Sequence, residues 1–244
     1  HMTDIHCHIL PGIDDGASCI EEALDMAVLA AESGVTDIIC TSHIRCNHDN
    51  PKTVAAKIEN LYKELRNKLK ENSIPVNLYM GAEILCLPDI LLYLEKRLLP
   101  TLGGTDYLLA EFPFDAPGEY ISSMLKKTAA MNYRPVIAHP ERYSAVRRDP
   151  ALLPDWFDRG YILQLNKGSI LGAFGSRVRT TALEMLDSGL CHVIASDAHG
   201  SVSRTPSIAN LIDFLNDRYK PEYIALLLDE NPRRILENRD TVSV

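Results

Sequence analysis

The chain has 244 residues, 46% hydrophobic and 24% charged, with a formal net charge of -8. That length and balance suit an ordinary globular protein able to bury one barrel-sized core. They argue against a nucleic-acid surface, since basic residues form no cluster larger than pairs such as Arg147-Arg148 and Arg233-Arg234.

The first apolar run, residues 3–9, reads as a strand carrying His6 and His8. At that spacing both imidazoles share one face while Cys7 turns away. Asp14-Asp15-Gly16 follows in a turn, where either carboxylate could be a ligand or an ordinary turn aspartate. A helix is expected over 20–33, then a strand over 37–41 leading into Thr41-Ser42-His43. A helix over 51–70 precedes a strand over 76–82, which runs into Glu83. A helix over 88–96 precedes a strand over 107–111, which ends on Glu111. After a helix over 119–131, the strand over 135–139 ends on His139, with Pro140-Glu141-Arg142 just beyond. A helix over 150–158 leads to a strand over 161–166, closed by Asn166-Lys167-Gly168, to which no ligand role is given. A helix over 178–187 leads to the strand 192–196, then Asp197, Ala198 and His199, with Arg204 in the next loop. Helices over 207–219 and 222–228 follow, and Asn231-Pro232 reads as an N-cap opening a short last helix.

Strict alternation of strand and helix implies a parallel sheet with right-handed crossovers and ligands at the strand C-termini. Seven such units, nearly all ending in a His or carboxylate, favour a closed barrel over an open sheet with one switch point. A lone His or Glu at a strand end is usually a satisfied polar group or a solvated edge. Six such ends in one chain instead describe a polynuclear metal site, for which paired imidazoles and carboxylates suit Zn, Mn or Fe. Glu83 and Glu111 are candidates to bridge ions roughly 3.5–4 Å apart. Arg142 and Arg204 suit a bidentate grip on phosphate, with a salt bridge to Glu141 or Asp149 nearly as good a reading; Arg45 is a weaker candidate.

Two rival chemistries fail on the residues. A cysteine-based tyrosine phosphatase needs an arginine six positions after its cysteine, and those positions hold Ile13, Asp25, Cys46, Lys52, Leu92 and Asp197. A barrel amidohydrolase bridges its metals with a carboxylated lysine on a middle strand, where this chain has Glu83 and Glu111. The six cysteines form no C-x-x-C pair. With no secretory signal and no long apolar run, a reduced, cytoplasmic protein without direct membrane insertion is expected. His1 before Met2 is read as a tag remnant, leaving 2–244 as one expected domain.

The order H-x-H, D-D-G, T-S-H, G-A-E, E-F, A-H-x-E-R, S-D-x-H, S-R-x-P resembles the PHP (polymerase and histidinol phosphatase) superfamily. Within it the chain most resembles the bacterial manganese-dependent tyrosine-protein phosphatases of capsule and exopolysaccharide gene clusters. The resemblance runs from Asp4 to the Asn231-Pro232-Arg233-Arg234 segment and implies a distorted (β/α)7, TIM-like barrel. It implies three divalent metal ions, Mn²⁺ foremost with Fe or Zn admissible. One would be held by His6, His8, Glu83 and Asp197, a second by Glu83, Glu111 and His139, a third by Asp15, His43 and His199. It also implies phosphate contacts from Arg142 and Arg204, and the tyrosine-phosphorylated tail of a bacterial tyrosine kinase as substrate. His43 or His199 would lie near the leaving oxygen. A histidinol-phosphate phosphatase with the same metals is the nearest alternative; a metal-stabilised module without turnover is a more distant one.

Overall fold

The computed structural model describes residues 1–244. Nine strands carry the architecture: β1 (Met2–Cys7), β2 (Val35–Cys40), β3 (His43–Ile44), β4 (Asn77–Met80), β5 (Glu83–Leu85), β6 (Tyr107–Glu111), β7 (Arg134–Ala138), β8 (Ile162–Asn166) and β9 (Val193–Ala195). All pair in parallel, in the orders β1-β2-β4 and β3-β5-β6-β7-β8-β9. They make seven staves, because β2 continues into β3 past Thr41-Ser42 and β4 into β5 past Gly81-Ala82. At the second break the chain runs so close to β2 that a Cβ on Gly81 would lie 2.8 Å from Ile39 Cγ2. The ring closes where Cys7 pairs with Ala198, the Asp197 N–H donating to His6 O and the His8 N–H to Ala198 O, both at 2.8 Å. The expected barrel is therefore present, distorted at its two breaks.

Alternation along the strands divides the apolar residues into two layers. Ile39, Leu109, Val136, Ile162 and Val193 fill the barrel, whereas Ile38, Leu108, Ile137 and Leu163 pack outward against the helices. In β1 an irregularity between Asp4 and Cys7 breaks the alternation, so Ile5 joins the inner layer and Cys7 the outer. Leu102 and Ile235 join the inner layer near Tyr107, at the N-terminal ends of the strands, where Asn238 also accepts from the Asp106 N–H at 3.0 Å. That end is plugged, so the opposite end, where the strands stop, is the mouth.

The chain after β9 departs from the reading of Asn231 as an N-cap. Helix Pro221–Ala225 runs through a widened turn, Leu226–Glu230, directly into helix Asn231–Leu236. Asn231 has helical backbone angles and lies inside this continuous rod. Its side chain instead donates to His192 O and Val242 O and accepts from the Val242 N–H. The widened turn absorbs Pro232, whose ring and missing N–H a regular helix would not tolerate. The helix expected over 150–158 is present as Leu152–Asp158, and a short helix that was not expected, Ser144–Arg148, precedes it.

His192, at the base of β9, is buried with its ring stacked on Phe157 at 4.6 Å, and its Nδ1 accepts from the Leu163 N–H at 3.0 Å. Burial pulls its pKa from 6.5 down to about 4. The fold thus requires the neutral ring: its contribution is complete above pH 6.5 and is lost as the pH falls towards 4. Asparagine offers an oxygen to the same N–H but does not titrate. The stability advantage of wild type over His192→Asn, from denaturant unfolding in chelator, is expected to shrink by roughly 2–3 kcal/mol between pH 7 and 4.5. An advantage that stays constant over this window would show that His192 does not titrate there.

Candidate metal centre

β1 sets His6 and His8 side by side, fully buried, with ring centroids 5.3 Å apart. Each ring is oriented through Nδ1, His6 donating to Gln164 Oε1 at 2.8 Å and His8 to Asp14 Oδ2 at 2.9 Å. His199 likewise donates from Nδ1 to Asp197 O at 2.8 Å. These partners leave all three Nε2 lone pairs facing the mouth, the tautomer a metal-binding histidine needs. The two adjacent aspartates separate here. Asp14 also accepts from the N–H groups of Gly16 and His43, so it orients other residues, whereas Asp15 Oδ1 points at His43 Nε2 and His199 Nε2, 3.4 Å from each. The loop can fold back this tightly because Gly16 has no side chain: a Cβ there would lie 2.6 Å from His8 Cβ.

Three groups of donors result. His6 Nε2 and His8 Nε2 are 3.2 Å apart, and Glu83 Oε1 and Asp197 Oδ1 lie 3.1–3.2 Å from both. Bonds of about 2.1 Å to a first-row divalent ion would space neighbouring ligands at roughly 3.0–3.4 Å. Glu83 is the hub: its Oε1 is also 3.2 Å from His43 Nδ1, and its Oε2 is 3.0 Å from His139 Nε2. Glu111 completes that side, 3.3 Å from His43 Nδ1 and 3.6 Å from His139 Nε2. The third group joins Asp15, His43 and His199 with His8, whose ring stacks on His199 at 4.1 Å. All nine residues expected as ligands thus meet at one place. The second group departs from the expectation: His43 joins Glu83 and Glu111 in it as well as facing the third, while His139 stands beside it, 3.0 Å from Glu83 Oε2.

The donor set fits divalent ions on two further observations. His43 Nδ1 and Glu111 Oε1 are buried with no hydrogen-bond partner, a costly arrangement that a bound cation would relieve. The field of the site also calls for cations. Burial resists charge on the imidazoles, yet Glu83 and Asp197 hold His6 well above its usual pKa, and Asp14, Asp197 and Glu83 do the same for His8. His43 and His139 rise to about 9 in the same way, beside Glu83, Asp15 and Glu111. Conversely Glu83 and Asp197 are held well below the carboxylate range despite burial, by His6, His43 and His139 for the former and by His6 and His8 for the latter. Without metal, protons fill the role of the missing positive charge. Backbone strain gathers here too: His139, Asp197 and Arg204 have φ of 36°, 47° and 48°, a left-handed conformation that costs a non-glycine residue about 1–2 kcal/mol.

Arg142 and Arg204 line the mouth and both turn to Asp197 Oδ2, at 3.9 and 3.1 Å; neither pairs with Glu141 or Asp149. Arg45 Nη2 lies 3.1 Å from His43 Nε2 and 3.7 Å from Glu111 Oε1. A cleft of about 660 Å³ opens on the side of His43 and Arg45, lined also by Ile13, Asp15, Val54 and Leu61. Gln164 and Asn166 escaped the sequence reading as site residues. Gln164 holds His6, and Asn166 donates from Nδ2 to Asp197 Oδ2 at 2.7 Å. Their signal was present: two polar residues, one position apart, in the otherwise apolar strand Ile162–Asn166. Phe114 and Phe174, which pack on Arg142, gave no such signal.

A family model described as capsular polysaccharide synthesis, CpsB/CapC, matches residues 2–237. The chain belongs to the CpsB/CapC family. Tyrosine-protein phosphatase YwqE of Bacillus subtilis is 34% identical over 240 residues, covering 98% of this chain and 92% of that protein. Tyrosine-protein phosphatase CpsB of Streptococcus pneumoniae is 32% identical, covering 96% of this chain and 98% of that one. A solved structure from work on YwqE and CpsB, described as unique metal-dependent tyrosine phosphatases, matches with a TM-score of 0.89 at 32% identity. It covers 100% of this chain and 97% of that one. The lactonase Lmo2620 from Listeria monocytogenes matches with a TM-score of 0.61 at 12% identity, a likeness of fold alone. The family expected from the motif order is thus the family found, and its solved member has the same barrel. No helix is long and apolar enough to cross a membrane.

Proposed function

We propose that this chain is a metal-dependent phosphotyrosine phosphatase, with the nine clustered donors holding three divalent ions, Mn²⁺ foremost. Its substrate would be the tyrosine-phosphorylated tail of a bacterial tyrosine kinase, and its setting the cytoplasmic control of capsular polysaccharide synthesis. The observation that carries the reading is the meeting of this donor cluster with two arginines on Asp197 at an open barrel mouth. Bound ions would acidify water and neutralise phosphoryl charge near neutral pH. Four carboxylates, Asp15, Glu83, Glu111 and Asp197, leave three divalent ions with a net positive field, suited to a phosphomonoester dianion. Arg142 and Arg204 would grip the phosphoryl oxygens and oppose the charge that gathers on them during transfer. His43 and His199, at the more open edge of the cluster, would lie near the leaving oxygen as metal ligands, their ring nitrogens already engaged. The demand for a proton there is small, because a phenolate with a parent pKa of about 10 leaves readily.

The test is phosphate release from a phosphotyrosyl kinase-tail peptide, a phosphoseryl peptide and histidinol phosphate, with Mn²⁺ and with chelator. Turnover of the phosphotyrosyl peptide is expected to exceed that of the others by at least about 100-fold and to vanish with chelator. A preference for histidinol phosphate would keep the metal cluster and overturn the substrate assignment.

A further inference from the structure

Residues 166–174 supply no donor to the metal cluster, yet side chains among them touch Asp197, Glu141, both arginines and the loop after Arg204. We propose that this segment positions Arg142 and Arg204 for the phosphoryl group, with Phe174 and Lys167 as its positioning residues; the inference rests on the phosphatase reading above.

Arg142 needs such a device. Its guanidinium is 3.9 Å from Asp197 Oδ2, beyond hydrogen-bonding distance, and no hydrogen bond holds it. It lies instead between two rings, its Cζ 3.8 Å from the centroid of Phe174 and 4.5 Å from that of Phe114. A cation held by ring faces keeps its N–H donors free, in the plane where a phosphate would meet them. An ion pair would instead have used those donors up. Arg204 shares the arrangement, 5.4 Å from the same Phe174 ring, so one side chain braces two like charges that repel each other.

The rest of the segment fixes what Phe174 braces. Phe174 packs directly on the backbone of Gly168, where an added Cβ would lie 2.9 Å from its Cε2. Lys167 Nζ donates to Thr205 O and, at 2.8 Å, to Ser207 O, so it pins the loop just after Arg204, whose backbone is left-handed. Asn166 Nδ2 holds Asp197 Oδ2 at 2.7 Å, the oxygen on which both arginines converge. Ser169 Oγ donates to Glu141 Oε2 at 2.6 Å, next to Arg142 in the chain. Four consecutive residues, beginning with the last residue of a strand that carries no ligand, therefore reach Asp197, the Arg204 loop, Phe174 and the Arg142 turn.

The test uses the Mn²⁺-loaded protein. Phe174→Leu is expected to raise both the KM for a phosphotyrosyl peptide and the Ki of inorganic phosphate by about tenfold. The kcat should fall at the same time, because the guanidinium also opposes the charge of transfer, the metal content should stay unchanged, and Phe174→Tyr should restore all three constants. In an Arg142→Met background, Phe174→Leu should add little further to the Ki, because the ring acts through the guanidinium. Lys167→Met should raise the same constants, and that rise should disappear in an Arg204→Met background. Gly168→Ala keeps the ring but displaces it, and reproduces the Phe174→Leu phenotype should that variant fold poorly. Unchanged KM and Ki in Phe174→Leu would overturn the proposal, as would an equal effect with and without Arg142. Calorimetric binding of inorganic phosphate reads the same couplings without turnover. Failure of wild type to hydrolyse phosphotyrosine would therefore count against the phosphatase reading alone.

Discussion

Glu83→Gln is expected to lower kcat/KM by on the order of 10⁴ and to empty most of the metal cluster while the barrel stays folded. Glu83 is buried, and its two oxygens lie 3.0–3.2 Å from ring nitrogens of His6, His8, His43 and His139. No other carboxylate reaches four imidazoles of the cluster. Glutamine has the same shape, so the packing of β5 against β3 and β6 survives. The amide, however, removes the negative charge, and one of its two ends becomes an N–H₂ group that cannot bind a cation. Three of the four imidazoles would face an oxygen and the fourth the amide nitrogen, or the reverse; neither orientation restores a bridge. The measurements are elemental analysis for bound Mn²⁺, kcat/KM on a phosphotyrosyl peptide, and far-UV circular dichroism. A folded variant with full metal content and more than a tenth of wild-type activity would remove Glu83 from the cluster's centre.

What the sequence made legible, and what it concealed, follows from the range of the interactions. Strand ends are local, so His6, His8, Glu83, Glu111, His139 and Asp197 could be read from apolar runs that stop on a ligand type, and they converge around Glu83. The two breaks in the barrel were hidden, because Thr41-Ser42 and Gly81-Ala82 resemble ordinary strand ends; only pairing across the sheet shows that β3 and β5 belong to the other sheet. Asp14 and Asp15 could not be separated by chain position, since the choice depends on which way the loop turns over His8. Asn231 was misread because a local cap signal, Asn before Pro, was overridden by a widened turn that keeps the rod continuous. Phe174 carries no local signature, because a phenylalanine earns its role only by what folds against it. Residues that act through distant partners are those that a single sequence conceals most fully.

Asp197→Asn is expected to cost on the order of 10³ to 10⁴ in kcat/KM, and to do so through two faces of one side chain. Asp197 Oδ1 lies 3.1 and 3.2 Å from His6 Nε2 and His8 Nε2, among the donors of the first group. Its Oδ2 accepts from Asn166 Nδ2 at 2.7 Å and from Arg204 Nη2 at 3.1 Å. A carboxylate serves both faces because both of its oxygens accept. An amide cannot: with its oxygen towards the histidines it turns N–H donors on Asn166 and Arg204, and with its oxygen towards those donors it turns N–H groups on the metal position. Both orientations leave a buried donor opposed to a cation or another donor, and the left-handed backbone at residue 197 limits any escape by rotation. The variant should therefore lose affinity for Mn²⁺ and, independently, for inorganic phosphate. Titrating each ligand by calorimetry separates the two faces: a loss of metal affinity with unchanged phosphate binding at saturating Mn²⁺ would show that Asp197 does not organise the arginines. A deficit in both would make this one carboxylate the point where metal binding and phosphate recognition are joined.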